Sequence, residues 1–160
     1  MMKIKPAALL FDMDGTLTDP RQRISKDVAE ALRDVAAGIK KHLVTGSDMI
    51  KIEEQIPNNV LLSLFSRVYA CNGTKVYNCD LDMDDENLPI EPELIHKVTL
   101  RDHYSEADIN HIANVLLKTA YRTHTKTKTG TFVEWRDSQI NFSVVGRNCT
   151  MAQREDYVRW

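Results

Sequence analysis

The sequence lacks the features of a membrane protein and of a nucleic-acid-binding protein. No apolar run approaches the roughly 18 residues that a membrane helix needs. Residues 1–6 are too few and too polar for a secretory signal. The 21 basic and 23 acidic residues leave a formal net charge of −2, which argues against a basic surface for nucleic acid. We therefore expect neither a membrane nor nucleic acid as a partner.

Cysteine is also scarce. Cys71, Cys79 and Cys149 form no Cys-x-x-Cys pair, and any bridging scheme leaves one of them unpaired. A reduced, cytoplasmic protein is the simplest interpretation. Hydrophobic residues make up 42% of the 160 residues, so the chain can form one domain, or a core and part of a second domain.

The chain does contain an apolar run that ends in two aspartates. Residues 7–11 are typical of a buried parallel strand, and Asp12, Asp14 and Gly15 follow. Open α/β sheets place their ligands at this carboxyl end of a strand. Two carboxylates aimed the same way repel each other unless a cation lies between them, and magnesium fits. One carboxylate could attack phosphorus while the other moves a proton.

Other interpretations of these motifs remain open. Asp-x-Asp also occurs as a helix cap or a solvated turn, whereas a calcium loop is disfavoured because its twelfth position is Arg23. Thr45, Gly46 and Ser47 stand between a predicted strand and a predicted helix, where free N–H groups and the helix dipole favour a phosphate. Ser47 could instead be a simple helix N-cap.

The order of predicted elements indicates an α/β fold with two regions. Strands and helices alternate over residues 1–80, with a helix over 26–37 that Ser25 would cap, and this order predicts a Rossmann-like parallel-sheet core. The acidic stretch 80–86 is interpreted as a linker, because a calcium loop there would have Asp85 where glycine is required. Residues 81–160 are predicted to form an inserted α+β cap. Its elements are helices over 92–100 and from 106, strands over 131–136 and 139–145, and a helix that begins with a capping box at Thr150.

Several arginines stand where a phosphate could be bound. Arg136 and Arg147 lie at the ends of the two hairpin strands, and Arg154 lies in the first turn of the last helix. Each alone would be an ordinary surface charge, but together at one end of a sheet they would form a guanidinium clamp. Arg21, which follows Pro20 in the loop after the aspartates, is a fourth candidate.

These segments resemble the haloacid dehalogenase-like phosphotransferases and, within them, the eukaryotic-type phosphomannomutases. Residues 12–22, 46–48, 72–73, 130–136 and 146–149 carry the resemblance. It implies that Asp12 is the phosphorylated nucleophile and Asp14 the general acid/base, with a magnesium ion at both. It also implies that the sugar phosphate is bound by four arginines, Arg21, Arg136, Arg147 and Arg154.

The implied reaction interconverts mannose 6-phosphate and mannose 1-phosphate, with a hexose 1,6-bisphosphate activator, and feeds GDP-mannose synthesis. A homodimer through the cap is the expected assembly. The family carries a lysine and an acidic cluster in strands that would follow Trp160, so the chain resembles the amino-terminal part of such an enzyme, with core and cap both incomplete. Alternatives are a sugar-phosphate phosphatase with the same nucleophile and a non-catalytic sugar-phosphate-binding chain. Alone, the 160 residues are expected to bind magnesium weakly, to be loosely packed and to be catalytically silent.

Overall fold

A mixed five-stranded sheet organises the first of the two units into which the chain divides, Met1–Val98 and Thr99–Trp160. The computed structural model describes residues 6–36, 38–80 and 91–160. The strands of this sheet are hydrogen-bonded in chain order: β1 (Ala8–Asp12), β2 (Lys40–Val44), β3 (Arg67–Ala70), β4 (Lys75–Asn78) and β5 (Glu93–Lys97). The predicted α/β class is confirmed.

The first three strands are parallel, and helices connect them. Helix α1 (Lys26–Arg33) joins β1 to β2, and helices α2 (Met49–Gln55) and α3 (Asn58–Leu64) join β2 to β3. Parallel neighbours need such crossovers because the chain must return to the same end of the sheet. Apolar side chains from the sheet and these helices form the core, and the fully buried ones include Leu43, Ile52, Ile56, Leu61 and Val68.

Side-chain caps define where α1 and α2 begin. The Ser25 hydroxyl accepts a hydrogen bond from the Val28 N–H at 3.3 Å and caps α1, as predicted. Helix α1 ends at Arg33, so the prediction of a helix over 26–37 is too long, because the chain turns there to enter β2. Helix α2 is capped by Asp48, whose carboxylate accepts from the Lys51 N–H at 3.0 Å. The alternative in which Ser47 is the N-cap is therefore wrong.

The strand β1 is less buried than predicted. Among the described residues it pairs with β2 on one side only, and Leu10 is 68% exposed. The expectation of a buried strand over 7–11 is wrong for this reason, although its parallel pairing is correct. Met13, the residue that follows the strand in the sequence, has a completely buried side chain.

Residues 93–97 form a strand, so the prediction of a helix over 92–100 is wrong. Strand β5 pairs antiparallel with β4, from Lys75 opposite Lys97 to Asn78 opposite Glu93. Ladder hydrogen bonds to β4 outweigh the local helix-start signal of Pro92. Position 80, the predicted end of the core, therefore falls within the first unit. The acidic stretch predicted as a linker lies mainly in 81–90, outside the described residues.

The second unit contains a long helix, a hairpin and a terminal helix. These are α4 (Glu106–Arg122), β6 (Val133–Trp135), β7 (Ile140–Phe142) and α5 (Met151–Arg159). Capping boxes begin both helices, at Ser105 with Asp108 and at Thr150 with Gln153.

Helix α4 contacts β6, with Ile109 and Ala120 buried. Two other apolar residues of α4, Ile112 and Leu117, are exposed, so the described part of the chain covers the apolar side chains of this helix only in part. None of the described helices is long and apolar enough to cross a membrane.

Candidate active site

Strand β1 carries Asp12 to the edge of the sheet where the parallel strands end. Asp12 is the last residue of β1 and is paired in register with Val44, the last residue of β2. Thr45, Gly46 and Ser47 therefore begin one residue beyond the partner of Asp12. The two motifs that the sequence places at strand ends thus lie side by side at the edge where open α/β sheets bind ligands.

The buried residue between the two aspartates anchors the loop that follows. The carbonyl of Met13 accepts hydrogen bonds from the backbone N–H groups of Leu17 and Thr18, each at 3.0 Å. Gly15 has φ +81, which an L side chain adopts only with strain. The loop therefore turns tightly around Met13, and both carboxylates, Asp12 and Asp14, stay exposed on either side of it.

One buried polar side chain contacts Asp14, and a second buried polar side chain contacts the first. The side-chain amide of Gln55 donates from Nε2 to Oδ1 of Asp14 at 3.2 Å, and its Oε1 accepts from the Thr18 hydroxyl at 2.8 Å. Gln55 and Thr18 are each only 5% exposed. Sequence reasoning missed both residues. Gln55 lies 41 positions from Asp14, and no local pattern indicates that the end of α2 returns to this loop.

The Thr45–Gly46–Ser47 segment is tied to neighbouring backbone. Buried Thr45 accepts at its hydroxyl from the Ser47 N–H at 3.1 Å and at its carbonyl from the Asn72 N–H at 2.9 Å. A Cβ at Gly46 would lie 3.2 Å from the Asn72 side chain, so glycine permits this close approach. The Ser47 N–H already has a partner, and the carboxylate of Asp48 caps the helix that follows. Phosphate binding by this segment stays a prediction.

Asp12 and Asp14 are the carboxylates expected to hold magnesium. Within residues 6–36, 38–80 and 91–160, three or more histidine, cysteine or acidic side chains nowhere gather as a metal site. Magnesium in proteins is often bound by one or two carboxylates, with water and substrate phosphate as the other ligands. This pair of exposed carboxylates therefore fits the donor chemistry of the ion.

In the second unit, a glutamate joins two of the predicted phosphate-binding arginines. Oε2 of Glu134 lies 2.7 Å from Nη2 and 2.8 Å from Nε of Arg136, and 3.5 Å from Nε of Arg147. The Arg136 side chain is only 8% exposed. Glu134 and Arg136 are two residues apart on an extended chain and share a face of the hairpin, a signal that sequence analysis could have used. The Glu134 carboxylate thus brings the guanidinium groups of Arg136 and Arg147 together.

A crossing of two glycine-containing turns supports Arg147. A Cβ at Gly146 would lie 2.2 Å from the Gly130 carbonyl oxygen, and both glycines have positive φ. Thr131, which follows Gly130, has φ +52, an uncommon conformation for a β-branched residue. Its carbonyl accepts from the Arg147 N–H at 3.2 Å. The close approach of the two turns thus fixes the backbone position of Arg147, from which its side chain extends.

The two other arginines are placed differently. Arg154 lies in the first turn of α5, is exposed, and takes part in no ion pair within the part of the chain that the structure describes. Arg21 belongs to the first unit and is exposed, with φ +65 just after Pro20. The structure therefore joins Arg136 and Arg147 and does not join Arg154 to them.

Comparison with known proteins identifies relatives over almost all of this length. The family model described as eukaryotic phosphomannomutase matches residues 28–160. A phosphomannomutase of Galdieria sulphuraria is 32% identical over 160 residues, which cover 100% of this chain and 59% of that protein. Phosphomannomutase 1 of Homo sapiens is 33% identical over 149 residues, which cover 92% of this chain and 52% of that protein. The chain thus spans little more than half the length of these curated relatives.

Solved structures share the fold at low sequence identity. A haloacid dehalogenase-like hydrolase from B. subtilis superposes with a TM-score of 0.51 at 19% identity, over 71% of this chain and 34% of that chain. An N-terminally truncated, IMP-bound IMP-nucleotidase of Plasmodium falciparum gives a TM-score of 0.52 at 13% identity, over 96% of this chain and 45% of that chain. The fold is therefore haloacid dehalogenase-like.

Proposed function

The chain belongs to the eukaryotic phosphomannomutase family, and from this we propose that it carries the nucleophile and the phosphate-binding arginines of a phosphomannomutase. The reaction interconverts mannose 6-phosphate and mannose 1-phosphate and supplies GDP-mannose synthesis. The observation that carries this proposal is the exposed Asp12 carboxylate at the end of β1, with Asp14 two residues later. We assign the first unit to the catalytic core and the second to the cap.

In this mechanism the two aspartates divide the work. A carboxylate oxygen of Asp12 attacks the phosphorus atom, and the departing sugar oxygen takes a proton from Asp14. In the other half of the cycle the free hydroxyl of the sugar monophosphate attacks the aspartyl-phosphate and gives its proton to Asp14, which forms a hexose bisphosphate; Asp12 then takes the phosphoryl group from the other position of that bisphosphate. A hexose 1,6-bisphosphate primes the enzyme by phosphorylating Asp12. Magnesium bound at these carboxylates would offset the charge of the transferring phosphoryl group.

The arginines are proposed to bind the phosphate that does not react. The proximity of the Arg136 and Arg147 guanidinium groups, both in contact with Glu134, supports this role, because guanidinium groups bind phosphate through charge-assisted hydrogen bonds. Arg21 and Arg154 are exposed and would add further contacts, while Thr45, Gly46 and Ser47 would receive the reacting phosphate. A homodimer through the cap and a cytoplasmic location complete the proposal, the latter in keeping with three free cysteines.

The test follows phosphorus in the product of the complete open reading frame. With mannose 1-phosphate, magnesium and glucose 1,6-bisphosphate, ³¹P NMR should show mannose 6-phosphate forming. Asp12→Asn should abolish turnover, Asp14→Asn should slow it strongly, and Asp19→Asn, at an exposed aspartate of the same loop, should leave it unchanged.

Each contrary result has a defined meaning. Inorganic phosphate in place of mannose 6-phosphate would identify a phosphatase. Binding of mannose 1-phosphate without turnover would identify a non-catalytic chain. Near-normal turnover by Asp12→Asn would refute the nucleophile.

A further inference from the structure

We propose that Gln55 is the positioning residue for Asp14, and that the Thr18 hydroxyl in turn orients Gln55. The side-chain amide would hold the Asp14 carboxylate in the one orientation that lets it pass a proton to and from the sugar oxygen. The inference deepens the proposed function and rests on it for the role of Asp14. The contacts themselves can be tested without any activity.

The hydrogen bonds from Thr18 to Gln55 and from Gln55 to Asp14 form a relay. The chemistry of these three side chains allows only one direction for it. An ionised carboxylate accepts hydrogen bonds and donates none, so the amide must turn its Nε2 toward Asp14, where the distance to Oδ1 is 3.2 Å. Oε1 of Gln55 then faces Thr18, whose hydroxyl donates to it at 2.8 Å. Reversing the amide would set its oxygen against the carboxylate oxygen, which is repulsive. The Asp14 carboxylate therefore fixes the orientation of the Gln55 amide, and the Thr18 hydroxyl can donate to the oxygen that this orientation presents.

Burial makes the relay rigid. Gln55 and Thr18 are each only 5% exposed, so their polar atoms have few alternative hydrogen-bond partners. The backbone carbonyl of Gln55 accepts from the Ile24 N–H at 2.9 Å, which ties the end of α2 to the loop before α1. The Thr18 hydroxyl also lies 3.2 Å from the Met13 carbonyl. Both members are thus anchored to main chain at the site.

Asp14, by contrast, is exposed and needs such a partner. A carboxylate surrounded by water samples several rotamers, and only those that face the sugar oxygen are productive. A charge-assisted hydrogen bond from a fixed amide selects among them. Loss of this bond should lower the rate of the proton-transfer steps and leave substrate affinity nearly unchanged, because Gln55 is buried beside Asp14 and is not among the groups proposed to bind the sugar phosphate.

The test uses Gln55→Met, which keeps the length of the side chain and removes its hydrogen bonds. The Thr18 hydroxyl retains the Met13 carbonyl as acceptor in this variant, so no buried donor is left without a partner. In the product of the complete open reading frame, kcat should fall about tenfold and KM should change less than twofold. Gln22→Met, at an exposed glutamine in the loop that follows Asp14, should leave both constants unchanged.

Thr18 provides a second pair of variants. Thr18→Val should lower kcat in the same sense as Gln55→Met, and Thr18→Ser, which keeps the hydroxyl, should restore the parent kcat. This pair decides the matter if Gln55→Met does not fold. An unchanged kcat in Gln55→Met, or equal kcat values in Thr18→Val and Thr18→Ser, would overturn the inference. A parallel rise in KM would overturn it too, because that result indicates general disruption of the site.

A measurement without turnover separates this inference from the proposed function. In ¹⁵N NMR spectra, the side-chain NH₂ signals of Gln55 should shift when Asp14 is replaced by alanine, whereas those of Gln22 should not. If the parent shows no mutase activity and the Gln55 signals shift, the proposed function fails and the contact stands. If the Gln55 signals do not respond, the positioning role is refuted whatever the activity.

Discussion

Replacing Gly146 by alanine should destabilise the second unit strongly, because the backbone of another turn occupies the space beside this residue. A Cβ at Gly146 would lie 2.2 Å from the Gly130 carbonyl oxygen, 2.7 Å from the Gly130 nitrogen and 2.7 Å from Oγ1 of Thr129. Two of these three atoms are backbone, so no side-chain rotation can relieve the overlap. The two turns must move apart.

The expected cost has two parts. An alanine with φ near +93 carries a backbone penalty of about 1–2 kcal/mol. Separating the turns also weakens the hydrogen bonds from Arg147 N–H to the Thr131 carbonyl and from Thr129 N–H to the Val145 carbonyl, at 3.2 and 2.8 Å. Each is worth about 1 kcal/mol. A loss of about 3–4 kcal/mol is expected, a large share of the ~5–15 kcal/mol that stabilises a typical domain.

Tryptophan fluorescence during urea unfolding measures this cost. Both tryptophans, Trp135 and Trp160, belong to the second unit, so the signal reports on that unit. The matched control is Gly130→Ala: this residue also has positive φ, but its added Cβ would approach only the Asn148 side chain, at 3.4 Å. The free energy of unfolding of the control should therefore fall only by the backbone penalty of about 1–2 kcal/mol.

Comparison of the two variants decides the argument. If Gly146→Ala and Gly130→Ala destabilise the unit equally, the close approach of the two turns contributes nothing, and the account of how Arg147 is supported is wrong. If Gly146→Ala is as stable as the parent, the backbone conformation at this position is also wrong.

Two further predictions concern titratable groups of the first unit. Burial and the nearby charges of Arg67 and Lys40 lower the pKa of His42 below its ordinary value of 6.5, so the unfolded state binds the proton more readily. This contribution to stability should therefore be fully present above pH ~6.5 and decrease below it. Urea unfolding followed by circular dichroism should show that the free energy of unfolding depends less steeply on pH below 6.5 in His42→Gln than in the parent. Equal pH dependence in the two proteins would contradict this prediction. Burial, with a smaller contribution from Asp80, raises the pKa of the Cys79 thiol to about 12. Native Cys79 should resist iodoacetamide at pH 8 and react after unfolding, and prompt labelling of the native protein would refute this.

Much of the candidate site could be predicted because its signals are local. The apolar run before Asp12 ends at a turn that requires Gly15, and Ser25 and Thr150 cap helices that begin where these residues predict. Such signals depend on the backbone geometry of a few neighbouring residues, so no knowledge of the fold is needed. The positions of Asp12 and Asp14, at the end of a strand and just after it, could be predicted in the same way, from their immediate neighbours in the sequence.

The sequence by itself therefore determined the α/β class, the strand that presents Asp12 and the caps of these helices. Only the tertiary structure decided that residues 93–97 pair with β4 and that Gln55 reaches Asp14 across 41 positions. The reason is physical. Strand pairing and buried hydrogen bonds depend on which surfaces meet when the core packs, and packing can override the preference of a local segment. Local preference predicts which residues can do chemistry, while packing decides which neighbours orient them.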